Sequence, residues 1–200
     1  MKIGIVDYGA GNLRSVRNAF DYLGMKSLIV DSPSQLKELD KLVLPGVGAF
    51  GHAVGRMRDA GFFSPVYDWL KEDRPFLGIC LGFQMLFDLS DESPDEKGFG
   101  FFEGSCRRFR ERKVPQIGWN AVQTGGNTLL FDGIPSGEHF YFVHSYYVAA
   151  GDGGMVLGRT EYGLSYVSVV GNGHVFGVQF HPEKSGEAGL TLLENWGKKC

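Results

Sequence analysis

Three cysteines in 200 residues, Cys80, Cys106 and Cys200, are too few and too scattered for a disulfide framework, and an odd number cannot all pair. A reducing cytoplasm is the expected compartment. No apolar run approaches the roughly 20 residues of a membrane-spanning helix, and residues 1–7 lack the apolar core and cleavage site of a secretory signal. A basic excess is missing too. Lys and Arg number 20 against 23 Asp and Glu, a formal charge of −3, which argues against a general nucleic-acid or anionic-membrane binder. The histidines and cysteines lack metal-ligand spacing, so neither a metal nor a cofactor is expected. Repeats, linkers and low-complexity tracts are absent as well. What is there is an ordinary soluble composition, 43% hydrophobic and 22% charged. A chain this long buries about 70% of its extended surface. One domain over residues 1–200 is the simplest account.

Residues 2–7 are a short apolar run ending at a Gly-containing turn, which reads as a buried strand. From Leu13, apolar residues recur at Val16, Ala19, Phe20 and Leu23 with helical spacing, and Gly24 closes the segment. Strands are expected over 27–30, 42–44 and 76–79, with a short polar helix near Ser32. Helical patterning runs from Phe50 to Lys71 with a break around 61–65, and again from Cys80 to Phe87. This alternation predicts an α/β fold with a mostly parallel central sheet flanked by helices. The C-terminal half is β-rich, with strands over 101–110, 140–148, 156–161, 164–170 and 174–180 inserted after the fourth parallel strand. Ser185 is the expected N-cap of a last helix carrying Leu190, Leu193 and Trp196.

Gly78-Ile79-Cys80-Leu81-Gly82 has the form of a nucleophile elbow, a strand turning at once into a helix around one reactive side chain. The glycines permit the crowded turn, and the helix N-terminus aims its dipole at the sulfur, favouring thiolate. A thiolate needs a base, and His181 follows a strand end, where functional groups gather in such sheets. Glu183 is close enough to fold back onto the imidazole, which completes a nucleophile–base–orienter set. Pro45-Gly46-Val47-Gly48 follows another strand. It is either an ordinary tight turn or one that directs the Val47 N–H, with that of Leu81, into an oxyanion hole where one donor is worth about 3 kcal/mol. Gly9 and Gly11 after the first strand suggest a dinucleotide loop, but Arg14 stands where the third glycine belongs. The basic run from Arg107 to Lys113 reads as a solvated strand edge or, less commonly, a phosphate contact.

Together, Leu44-Pro45-Gly46-Val47-Gly48-Ala49-Phe50, residues 78–84 and Phe180-His181-Pro182-Glu183-Lys184-Ser185 resemble the class I (triad) glutamine amidotransferases, whose fold is flavodoxin-like. Residues 7–13 and Pro115-Gln116-Ile117-Gly118-Trp119-Asn120 narrow the resemblance to the branch that serves imidazole-glycerol-phosphate synthase in histidine biosynthesis. The resemblance implies that Cys80 forms a γ-glutamyl thioester with glutamine, that His181 protonates the departing ammonia and activates water, and that Glu183 orients His181. It implies an oxyanion hole at Gly46, Val47 and Leu81, and glutamine held by Gly48, Gln84, Glu92, Ser145 and Tyr146. From the residues alone, Glu92 could equally belong to a solvated acidic loop. The resemblance further implies a separate (β/α)8-barrel cyclase as partner, docked through Asn12, Trp119, Tyr141 and Lys184, although Trp119 by itself also reads as a core residue. Many relatives carry histidine where Gln116 stands, so an effect on docking or signalling at that interface is expected there. An isolated chain is expected to hydrolyse glutamine slowly, because the flexible Gly46–Val47 peptide can leave its N–H turned away until the partner docks.

Overall fold

Short apolar runs rich in Val, Ile and Leu become the strands of one sheet, because each is buried on both of its faces. In the computed structural model, which describes residues 1–110, 112–125, 128–151 and 153–200, the first part alternates strands and helices. It runs β1 (Ile3–Val6), α1 (Leu13–Tyr22), β2 (Ser27–Val30), β3 (Lys41–Gly46), α2 (Phe50–Asp59), α3 (Phe63–Lys71) and β4 (Phe76–Cys80). There follow α4 (Leu81–Gln84), β5 (Phe87–Ser90), β6 (Phe102–Arg108), β7 (Gln116–Thr124), β8 (Glu138–His144), β9 (Tyr146–Ala149), β10 (Val156–Glu161), β11 (Ser165–Asn172), β12 (Val175–Val178) and α5 (Gly186–Lys199).

The central sheet is parallel in the order β2-β1-β3-β4-β12. Strands β11, β10, β7 and β8 continue it antiparallel, and β5, β6 and β9 branch from it. The last parallel strand therefore returns beside β4 after a long β-rich excursion, as the insertion after the fourth strand required. Alternation along each central strand divides the core in two. Leu42 and Leu44 enter one cluster with Phe50, Met57 and Trp69 of α2 and α3. Val43, Leu77 and Ile79 enter the other with Phe20 of α1 and Trp196 of α5.

Four local expectations change. The helix after Cys80 ends at Gln84, and β5 begins at Phe87, where pairing with β6 overrides helical patterning. The break before α3 lies at 60–62, so Pro65 falls in the helix's first turn, where no backbone N–H is needed. The expected strand over 140–148 is two strands divided at Ser145. Residues 116–124 form β7, a strand that the mixed polar and glycine-containing pattern did not signal.

Candidate active site

The parallel register pairs Gly46 at the end of β3 with Cys80 at the end of β4, and β12 runs beside β4 on its other side. The topology thus gathers the turn after β3, Cys80 and the segment after β12 at the carboxyl edge of the sheet, the usual ligand edge of such folds. Cys80 adopts φ 56°, ψ −104°, a conformation that L-residues avoid. Such strain persists only where the surroundings over-determine it. Here they do. A Cβ at Gly82 would lie 1.8 Å from the Leu44 carbonyl oxygen, and one at Gly78 would lie 2.7 Å from the Gly82 carbonyl oxygen. The elbow glycines therefore serve close backbone approach, since neither takes a positive φ. Gly48 differs: at φ 98° with open space around it, it is a conformational glycine in the turn after β3.

His181 is held through its backbone. Its N–H donates to the Tyr141 carbonyl at 2.9 Å, and its carbonyl accepts from the Ser185 hydroxyl at 2.6 Å and the Lys184 N–H at 3.0 Å. Ser185 is the N-cap residue of α5, as expected, but its hydroxyl makes no cap; it bridges His181 and β8, accepting the Tyr141 N–H at 3.0 Å. The His181 ring places Nδ1 2.8 Å from Glu183 Oε1, with side-chain exposures of only 3% and 1%. Carbonyl or carboxylate oxygen facing Nδ1 fixes the proton there and leaves Nε2 to take one. Nε2 is buried and completes no hydrogen bond among the described residues. Burial alone would lower the His181 pKa, but the negative charge of Cys80 and then Glu183 outweigh it and raise the ring to about 10. The raised ring favours the imidazolium form of His181.

A cavity of about 300 Å³ opens over the sulfur, lined by Val47, Gly48, Cys80, Leu81, Gln84, Glu92, Pro115, Val143, His144, Ser145 and Tyr146. Every residue expected to hold glutamine, and two of the three expected at the oxyanion hole, line this one space. Gly46, the register partner of Cys80, is not part of that lining. Glu92 is partly committed to structure, since Oε2 accepts the Phe50 N–H at 2.7 Å and so caps α2. Gln84 is committed as well. Its nitrogen donates to the Tyr146 carbonyl and to Gln179 Oε1, both at 2.9 Å, which leaves its oxygen as the group free to accept.

Three buried residues here carried no signal in the sequence reading. Gln179 is fully buried with its nitrogen 3.8 Å from Cys80 Sγ. Tyr8 is buried with its hydroxyl unpaired among the described residues, and burial, then Cys80, raise its pKa. His144 bonds the Tyr146 carbonyl through Nδ1 at 2.8 Å and the Tyr166 hydroxyl through Nε2 at 3.3 Å; burial keeps it neutral, lowering its pKa to about 4. His144 and Gln179 could have been flagged as polar residues within expected apolar strands; Tyr8, in the turn after β1, could not.

Of the expected docking residues, Trp119 and Tyr141 face each other across β7 and β8 with ring centroids 6.2 Å apart, and Lys184 Nζ lies 5.9 Å from the Tyr141 ring. Trp119 is 57% exposed, which excludes the core reading. Ile117, two residues earlier on the same side of β7, is exposed with it. Asn12 precedes α1, which packs against the turn carrying Lys184. Gln116 corrects an expectation: it is 2% exposed and accepts the Tyr166 hydroxyl at 3.0 Å, so it cannot touch a docked partner directly. Arg107, Arg108 and Arg110 are exposed, but β6 pairs with β5 on one side and β9 on the other, so the expected strand edge is not one; Glu111 of the same run falls outside the described residues. Among the described residues, no group of three or more His, Cys, Asp or Glu is arranged to hold a metal ion. No helix there is long and apolar enough to cross a membrane.

Comparison with known proteins bears on this geometry. The family model for class-I glutamine amidotransferases matches residues 4–200. The imidazole glycerol phosphate synthase subunit HisH of Desulfitobacterium hafniense (strain DSM 10664 / DCB-2) is 45% identical over 197 residues, covering 98% of this chain and 93% of that protein. The protein of the same name from Methanocaldococcus jannaschii is 44% identical over 195 residues, covering 97% of each. A solved structure described as a glutamine amidotransferase aligns with a TM-score of 0.77 at 23% identity over 98% of both chains. PurLQS of Thermotoga maritima aligns with 0.77 at 20%, over 98% of this chain and 96% of that one. These two show likeness of fold alone.

Proposed function

This chain belongs to the class-I glutamine amidotransferase family, and on that footing we propose that it is the glutaminase subunit of an imidazole-glycerol-phosphate synthase. The observation that carries the chemistry is a strained cysteine beside a buried His181–Glu183 pair, at the floor of a cavity of amino-acid size. Near-full-length identity of 44–45% to proteins named HisH supports the particular synthase.

The reaction runs in two halves. Cys80 Sγ attacks the side-chain carbonyl carbon of glutamine, and the oxyanion that forms is received by the N–H groups of Val47 and Leu81, with Gly46 allowing the peptide to turn. His181 gives its proton to the leaving nitrogen, so the C–N bond breaks, ammonia departs and a γ-glutamyl thioester remains. His181 then takes a proton from water, which attacks the thioester; the C–S bond breaks and glutamate leaves. Glu183 holds the His181 tautomer throughout. Glu92 and the free Gln84 oxygen suit the substrate ammonium, and Gly48, Ser145 and Tyr146 complete its enclosure.

Residues 1–200 act as one cytoplasmic glutaminase domain, needing no cofactor of its own. Ammonia released into neutral water protonates and loses its nucleophilicity, so it must be handed over directly. The receiver is a HisF-type (β/α)8-barrel cyclase, a separate chain that docks on the exposed Trp119–Tyr141–Lys184 face with Asn12 beside it. Exposed aromatics of this kind suit an interface hot spot.

The test is glutamate formation by this chain alone, with a HisF-type cyclase, and with the cyclase and its nucleotide ligand, each repeated with Cys80→Ala. Slow turnover alone, strong activation by the complete mixture and silence of Cys80→Ala are expected. Rapid turnover indifferent to the cyclase would refute the partner; an active Cys80→Ala would refute the nucleophile.

A further inference from the structure

The amide groups beneath Cys80 have only one consistent orientation. The Tyr146 carbonyl oxygen can only accept, so the Gln84 atom 2.9 Å from it is the amide nitrogen. That nitrogen lies 2.9 Å from one terminal atom of Gln179, which must therefore be the oxygen. The Gln179 nitrogen is left facing Cys80 Sγ at 3.8 Å, within reach of an N–H···S hydrogen bond. A backbone carbonyl thus sets two buried side-chain amides in sequence and delivers an N–H to the sulfur.

Gln179 sits where its position is well determined. It lies immediately after β12, its backbone N–H donates to the Ser168 carbonyl at 2.9 Å, and its side chain is wholly shielded from water. The sulfur has a different partner for each protonation state. As a thiol it can donate to the Val143 carbonyl at 3.9 Å. As a thiolate it can only accept, and Gln179 presents the donor. A hydrogen bond to a charged acceptor in a buried site is about twice as strong as one between neutral groups.

We propose that Gln179 is a catalytic residue that donates a hydrogen bond to the Cys80 thiolate, with Gln84 as the residue that positions it. The proposal rests on the reading of Cys80 as the nucleophile. Gln84 then has two tasks: its oxygen faces the substrate while its nitrogen fixes Gln179. The other titratable groups around the sulfur are His181 with Glu183 behind it, Tyr8 against Gly46, and Glu92, His144 and Tyr146 along the cavity wall. All of these stay in place when Gln179 alone is changed.

Gln179→Met keeps the length of the side chain and removes the donor. The full chain and this variant are alkylated with iodoacetamide between about pH 6 and about pH 10, a range spanning ordinary thiol ionisation. Mass spectrometry separates Cys80 from Cys106 and Cys200. Near neutral pH the variant should react about tenfold more slowly, the effect of one hydrogen bond to a charged group. The gap should close toward high pH, where the sulfur is fully thiolate in both proteins. Gln84→Met, which removes the positioning residue and tolerates a folding failure of the first variant, should give the same closing gap. Equal neutral-pH rates in the variants, or a gap that stays constant across pH, would overturn the proposal, the latter because displaced packing acts at every pH. Cys80→Ala separates the two readings. If it still forms glutamate, the nucleophile assignment falls and takes this proposal with it. If it is silent while the Gln179 and Gln84 variants alkylate like wild type, only the role of Gln179 is lost.

Discussion

Gly82→Ala tests whether the elbow and the turn after β3 form one machine. The added methyl would stand 1.8 Å from the Leu44 carbonyl oxygen and 2.8 Å from its carbon, both backbone atoms that no rotamer change can move. Relief to a 3.0 Å contact separates the start of α4 from β3 by about 1.2 Å. Overpacking of this kind costs about 1–3 kcal/mol. For a chain of this length about 2 kcal/mol lowers the melting temperature by about 4–8 °C. The kinetic consequence should be larger than the loss of stability suggests. Leu81 adjoins Gly82, and Gly46 lies two residues beyond Leu44, so the shift pulls the two proposed oxyanion donors apart. A displacement of about 1 Å in catalytic groups costs roughly 100-fold in rate. The assay is glutamate formation by the complex with cyclase and nucleotide ligand, alongside thermal denaturation of the isolated chain. A loss concentrated in kcat, with KM little changed, is expected. A variant that melts earlier yet keeps wild-type kcat would refute the coupling of stability to the oxyanion hole. Unchanged melting would refute the steric reasoning itself.

Two further outcomes follow from the buried histidines. Glu183→Gln keeps the shape of the side chain but removes the charge that helps raise His181, and the amide can present N–H to Nδ1 and select the wrong tautomer; kcat should fall about 10³–10⁴-fold with glutamine binding retained, measured as kcat and KM separately. Stability should also depend on pH in opposite senses at His144 and His181. The folded pKa of His144 is lowered from 6.5 to about 4, so its contribution is complete above the unfolded value and is lost as pH falls toward 4. That of His181 is raised from 6.5 to about 10, so its contribution is complete below the unfolded value and is lost as pH rises through about 10. Urea unfolding across pH should show both limbs, and His144→Gln should flatten the acid limb while leaving the alkaline one. An unchanged acid slope in that variant would show that His144 is not the group responsible.

Much of the site was legible because its parts are local. An elbow is five consecutive residues, and the His181–Glu183 pair is separated by one, so both could be recognised without knowing what lies opposite. The cavity residues were found through resemblance, and the cavity gathers all of them. Glu92 shows the limit of such reading: its span looked like a solvated acidic loop, and only the 2.7 Å bond to the Phe50 N–H reveals a carboxylate held between a helix end and the cavity. Strand β7 escaped notice because Gly118, Asn120 and Gln123 break up its apolar residues, two of which, Ile117 and Trp119, are exposed. Gln116 was tied to the interface because many relatives carry histidine there; that its side chain turns inward beside exposed Ile117 is visible only in the structure.

The sequence by itself pointed to Cys80 at the crowded elbow, to His181 and Glu183 as a pair, and to the alternation of strands and helices around them, since each of these depends on near neighbours and on periodicity. Tertiary structure alone decided what surrounds the sulfur. Cys80 and Gln179 lie 99 positions apart, and their contact exists because β12 returns beside β4 after the β-rich excursion. Gly78 and Gly82 read as glycines for a turn; the fold shows them to be glycines for backbone contact, against Gly82 and Leu44 respectively. A hydrogen bond needs its two partners within a few ångströms, and chain order carries no record of which distant segments the packing of a sheet will bring that close.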